Sequence, residues 1–159
     1  MNSVKAVSGH RQVLWKCLAA ASLVWMCFML WGCLTETGES GGLILRLFPF
    51  LKGFAYTDKL VHAGLHAVLA SLLWWTALSK LPQQVLRARF TAGLLSFGTL
   101  LLIVLFCASF GAVIEGLQWA LTTTRSAEWA DALAACLAAL VWQGLALAFA
   151  LSRKIATSA

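Results

Sequence analysis

Apolar positions in this chain fall into four long runs, and its charged residues lie outside them. Windows of 19 residues between Lys16 and Glu36, 20 between Lys59 and Lys80, 25 between Arg89 and Glu115, and 21 between Asp131 and Arg153 contain no Asp, Glu, Lys or Arg. A helix rises ~1.5 Å per residue and the hydrocarbon core of a bilayer is ~30 Å thick, so each window can cross it. The pattern predicts an all-α integral membrane bundle of four transmembrane helices, at 14–34, 60–80, 91–117 and 130–152, in a single membrane domain over 1–159. Residues 35–57 form the longest loop. Its second half, Leu43 to Leu51, is apolar but too short to span and contains Pro49, which predicts a short interfacial segment. Pro82 stops the second helix, and the short Thr122 to Ala127 link makes the third and fourth helices antiparallel neighbours.

Charge then orients the bundle. Alternate threading puts Lys5, Arg11, Lys16, Lys80, Arg87, Arg89, Arg153 and Lys154 on one side, and only Arg46, Lys52, Lys59 and Arg125 on the other. The positive-inside rule makes the richer side cytoplasmic, so both termini are expected inside. All six acidic residues, Glu36, Glu39, Asp58, Glu115, Glu128 and Asp131, then fall on the outer side. The net charge of +6 therefore reads as topology and contact with anionic headgroups, with no nucleic-acid partner expected. With 61% hydrophobic and 11% charged residues, little is left for a water-soluble domain.

The basic start followed by an apolar run also resembles a secretory signal, and Leu30-Trp31-Gly32-Cys33 a lipoprotein cleavage box. Bulky Trp31 stands where a small residue is usual and the run is long enough to span, so the first helix is expected to stay. The five cysteines, Cys17, Cys27, Cys33, Cys107 and Cys136, lie in apolar stretches without CxxC spacing and read as small buried hydrophobes. Trp31, Trp119 and Trp129 toward the outer boundary, and Trp15, Trp74 and Trp75 toward the inner one, fit interfacial belts.

Small residues recur every four positions as Ala63, Ala67 and Ser71, as Ala108, Ala112 and Gly116, and as Ala130, Ala134 and Ala138. Such rows let helix backbones approach closely in lipid, and they predict the contact faces. Polar residues lie near them. Asp58, His62 and His66 stand at i, i+4 and i+8 with Lys59 alongside, Glu115 and Gln118 share a face, and Arg125 precedes Asp131 near the start of the fourth helix. These segments share one membrane depth, so Asp58, Lys59, His62, Glu115, Gln118, Arg125 and Asp131 are expected to converge at the outer end.

Asp58-Lys59-Leu60-Val61-His62, then Glu115-Gly116-Leu117-Gln118, then Arg125 with Asp131 six residues on, resembles the VanZ-like family of small bacterial integral membrane proteins. The resemblance covers roughly Thr57 to Trp142 and rests on a DKxxH motif, an ExxQ motif and an R…D…N…G tail in that order. It implies a multi-pass protein of the bacterial inner (cytoplasmic) membrane with a teicoplanin-resistance-type role. Three family positions differ: Ala135 and Ala138 stand where Asn and Gly are usual, and His66 takes a place where an aromatic is frequent.

Three readings of the polar residues compete. The first is a catalytic or metal site, with His62 and Glu115 as acid and base; HxxxH lacks the adjacent Glu of the metalloprotease motif, and neither a metal nor another cofactor is expected. The second is a pocket recognising a membrane lipid or a lipid-linked envelope molecule, with Arg125 and Lys59 on an anionic group, Gln118 and His62 fixing its orientation, and Asp58 and Asp131 completing the wall. The third is a set of ion pairs that let helix ends approach in a structural subunit of an envelope complex. A protein partner is not legible, and the second reading is the one the sequence favours.

Overall fold

The computed structural model describes residues 2–34, 49, 56–81, 97–121 and 128–158, and their side chains apart from those of 2–11, 58, 97 and 149–158. The described backbone forms four long helices: α1 (Asn2–Leu34), α2 (Thr57–Lys80), α3 (Phe97–Leu121) and α4 (Trp129–Ser158). Each contains a stretch long and apolar enough to cross a membrane: Gln12–Leu34, Lys59–Lys80, Gly98–Leu121 and Trp129–Ala148. The expected loop segment around Leu43 to Leu51 lies outside the described residues except for Pro49. So do residues 91–96, the start of the expected third span. At its other end α3 runs on past Leu117 to Leu121, because Gln118 finds a partner inside the bundle.

Helix ends follow local chemistry. α2 opens without a side-chain cap, and the Leu60 N–H closes its first turn on the Tyr56 carbonyl at 3.0 Å. It stops at Leu81, which is extended (φ −72°, ψ 138°) as a residue preceding a proline must be. Serine and threonine hydroxyls inside the bundle donate to carbonyls one turn back: Ser22 to Leu18, Ser71 to Ala67, Thr76 to Leu72 and Ser79 to Thr76. Each hydroxyl is thereby satisfied within its own helix, as an apolar surround requires.

Met29, Leu69, Ala70, Cys107, Ile114 and Ala139 form the centre of the core, all fully buried. α2 packs against all three other helices and α4 against α3 as well. Large apolar side chains such as Leu23, Val24, Leu102 and Val141 point outward and are exposed, whereas His62, His66, Glu115, Gln118, Asp131 and Gln143 are buried. This inversion suits a lipid surround and would leave a very large apolar surface in water.

Two contacts join α1 to α2. The Trp25 indole donates across to the Leu65 carbonyl at 3.0 Å, and the Lys80 ammonium lies 4.8 Å from the centre of the Trp15 ring.

The contact faces differ from those the small-residue rows predict. On α3, Ala112 and Gly116 are exposed, and a Cβ on Gly116 would meet nothing within 4 Å. The buried row is instead Cys107, Gly111, Ile114, Glu115 and Gln118. A Cβ on Gly111 would lie 3.2 Å from Ala135 Cβ and 3.4 Å from His66 Nε2, so here glycine is what lets α3 approach α4 and α2. On α4 the buried row is Asp131, Ala135, Ala139 and Gln143, one position on from Ala130, Ala134 and Ala138, which are half-buried. Trp74 belongs to the core rather than to a belt, because it packs inward beside Leu78; Trp31, Trp119, Trp129 and Trp75 are exposed as a belt demands. Cys33 and Cys107 are buried as expected, whereas Cys17 and Cys27 lie on the outward apolar face of α1, where a small thiol needs no covering; all five are free thiols.

Candidate functional site

One end of the bundle, where α1 and α3 finish and α2 and α4 begin, gathers most of the polar residues. His62 comes from the second turn of α2, Glu115 from the last turns of α3 and Asp131 from the first turn of α4. All three are buried, at 4%, 7% and 5% exposure, and one donor atom from each lies within 4.8 Å of the others. Three helices far apart in sequence therefore meet at one imidazole and two carboxylates.

Surrounding groups hold these side chains. The Glu128 backbone N–H donates to Glu115 Oε2 at 2.8 Å, so the residue just before α4 fixes the carboxylate of α3. Lys59 Nζ donates to Asp131 Oδ1 at 3.2 Å and to Glu128 Oε2 at 2.7 Å. The Lys59 and Glu128 side chains are 33% and 54% exposed, so they form the open rim above a buried floor. The ammonium sits between two carboxylates at the site where the helix dipole of α4 also favours negative charge.

Gln118 Nε2 donates at 2.8 Å to the carbonyl of Cys33, in the last turn of α1, and so joins α3 to α1. His66, one turn below His62, is fully buried and donates from Nδ1 to the His62 carbonyl at 2.9 Å. That bond requires a proton on Nδ1; Nε2 faces the Gly111 and Ala135 contact and has no hydrogen-bond partner among the described residues. Phe110 covers the ring at 6.3 Å between centroids.

Of the residues expected to converge, the structure brings together Lys59, His62, Glu115 and Asp131, with Gln118 on the neighbouring face. Arg125 and the side chain of Asp58 lie outside the described residues. Glu128 was not singled out by the sequence, although an acid immediately before a helix beginning at Trp129 is a signal for it. Ala135, where the VanZ-like pattern has Asn, is fully buried in the α3–α4 contact.

Electrostatically the described cluster is acidic, with three carboxylates against one ammonium. Lys59 balances part of this charge on the Asp131 side, and the two carboxylates stand beside one imidazole. Such a group can accept a proton, donate one through the imidazole, or ligate a metal ion.

No family model, no curated protein and no solved structure matches this chain.

Proposed function

We propose that this chain is a VanZ-like protein of the bacterial cytoplasmic membrane. In this reading both termini are cytoplasmic, and the end bearing His62, Glu115 and Asp131 faces outward. The cluster there recognises the polar headgroup of a membrane lipid or lipid-linked envelope molecule, in a glycopeptide-resistance type of role. The observation that carries the proposal is the meeting of those three buried side chains, from three helices, within 4.8 Å at one end of the bundle. A partly exposed Lys59–Glu128 rim lies over that floor, and the exposed Trp31, Trp119 and Trp129 lie at the same end, the depth at which headgroups sit. Apolar helix surfaces below offer the acyl chains a place to lie.

A second reading, a membrane-embedded hydrolase or transferase, is favoured by one further observation. Glu115 is held by the Glu128 N–H close to an imidazole, which is the arrangement of an oriented general base or acid.

Glu115→Gln tests both against a purely structural role. It keeps size and hydrogen-bonding capacity but removes the charge. Envelope-antibiotic sensitivity should revert to that of a deletion strain while melting temperature and membrane abundance stay near wild type. Loss of resistance only in step with loss of folded protein would leave the cluster as a set of helix-joining ion pairs and refute the proposal.

A further inference from the structure

The floor of the cluster sets one imidazole beside two buried carboxylates, each from a different helix, with one donor atom of each within 4.8 Å of the others. We propose that His62, Glu115 and Asp131 together hold a divalent transition-metal cation, of the zinc or manganese class. The cation gives the floor its positive charge and receives a phosphate or carboxylate oxygen of the bound molecule. This inference rests on the reading of the same cluster as the ligand-facing site.

The donor set selects the metal class. One imidazole with two carboxylates suits Zn²⁺, Mn²⁺ or Fe²⁺ better than Ca²⁺ or Mg²⁺, which favour oxygen alone. Bonds of about 2.1 Å in tetrahedral geometry place donor atoms about 3.4 Å apart, so a set already within 4.8 Å needs only side-chain rotation to close. Three protein donors leave a coordination position open, the pattern of sites that bind substrate rather than of closed structural ones.

The groups behind the donors are of the kind that orient metal ligands. Glu115 Oε2 accepts from the Glu128 backbone, and Asp131 Oδ1 accepts from Lys59, which fixes both carboxylates from outside. Sequence spacing conceals this site, because its three donors sit on three helices and form no local motif.

The test uses the full chain purified in detergent without chelators and without a metal-affinity step. Zn²⁺ and Mn²⁺ are titrated, with Co²⁺ as a spectroscopic probe and metal content read by mass spectrometry. One equivalent per chain, visible ligand-field absorption with Co²⁺, and a melting temperature that rises with Zn²⁺ or Mn²⁺ are expected. His62→Gln, Glu115→Gln and Asp131→Asn should each weaken binding by more than the ~10–100-fold that loss of an outer hydrogen-bond partner produces. Leu102→Ala, on the outward face of α3 and 67% exposed, should retain the site. The Co²⁺ spectrum on the unaltered protein needs no variant to fold. Absence of stoichiometric binding by all three metals, or equal binding by wild type and a folded His62→Gln, which marks an adventitious ion, overturns the proposal. If metal binding fails while Glu115→Gln still removes resistance from folded protein, the headgroup reading stands alone. If metal binds and resistance is untouched by Glu115→Gln, that reading falls and the metal site stands.

Discussion

Gln118→Leu separates a strut from a ligand contact. Leucine keeps roughly the volume of the 3%-exposed glutamine but removes the amide that donates to the Cys33 carbonyl at 2.8 Å. That carbonyl lies one residue before the end of α1, where the helix's own i+4 donors run out. Interhelical hydrogen bonds in membranes average about 0.6 kcal/mol in double-mutant cycles. A buried acceptor left unsatisfied costs about 1–3 kcal/mol, and this larger effect governs because only one partner is removed. The expected loss is about 1–2 kcal/mol, which at about 2–4 °C per kcal/mol lowers the melting temperature by about 2–8 °C. Melting in detergent, followed by the fraction that stays monodisperse on a sizing column, reads this directly. The control is Trp119→Leu, one residue on and 76% exposed, which should barely shift the melt. On the proposed headgroup-binding role, resistance per folded molecule should stay at the wild-type level for Gln118→Leu. A melt matching the Trp119→Leu control, or resistance lost at normal abundance, would refute the argument and return Gln118 to the ligand.

Gly111→Ala should be mild and Gly111→Leu severe, because the first methyl already meets Ala135 at 3.2 Å and overpacking costs about 1–3 kcal/mol or more; a melt series across Gly, Ala and Leu checks the ordering. Lys59→Met should destabilise more than Glu128→Gln, since it strips the cation from Asp131, whose side chain is 6% exposed, whereas the Glu128 side chain is 54% exposed. Raising NaCl should narrow the Glu128→Gln deficit and leave that of Lys59→Met, as screening reaches only the open pair. For topology, cysteines placed at Ser40 and Gln84 in a background lacking the five native thiols should label from outside intact cells at Ser40 only; the opposite pattern would invert the bundle.

The four spans were legible because a charge inside hydrocarbon is expensive, so windows free of Asp, Glu, Lys and Arg mark helices almost directly. Helix faces were less legible. In α4, alanines occupy both the 130/134/138 row and the 135/139 row, and a four-residue spacing fits either. The structure chooses the row containing Asp131 and Gln143, because the polar groups on it need cover. Lys59, His62, Glu115 and Asp131 could be placed together since their helices share one membrane depth. The destination of Gln118 could not, because the acceptor is a backbone carbonyl 85 residues away and every residue has one. His66 reads from sequence as one more polar residue on the His62 face. Its bond from Nδ1 to the carbonyl one turn above appears only in the fold.

Because His62, Glu115 and Asp131 sit on three successive helices, the cluster does not exist until the last of them has been inserted. Each helix carries its polar group near one end, where the interface tolerates it, so the spans can enter the bilayer singly and join afterwards. A chain that stopped after α3 would lack Asp131 and the Glu128 N–H, and with them the cluster. Completion of α4 brings Asp131 and the Glu128 N–H together in a single step, and with them the partners of Lys59 and Glu115. The complete cluster therefore exists only where all three helices are present and packed together.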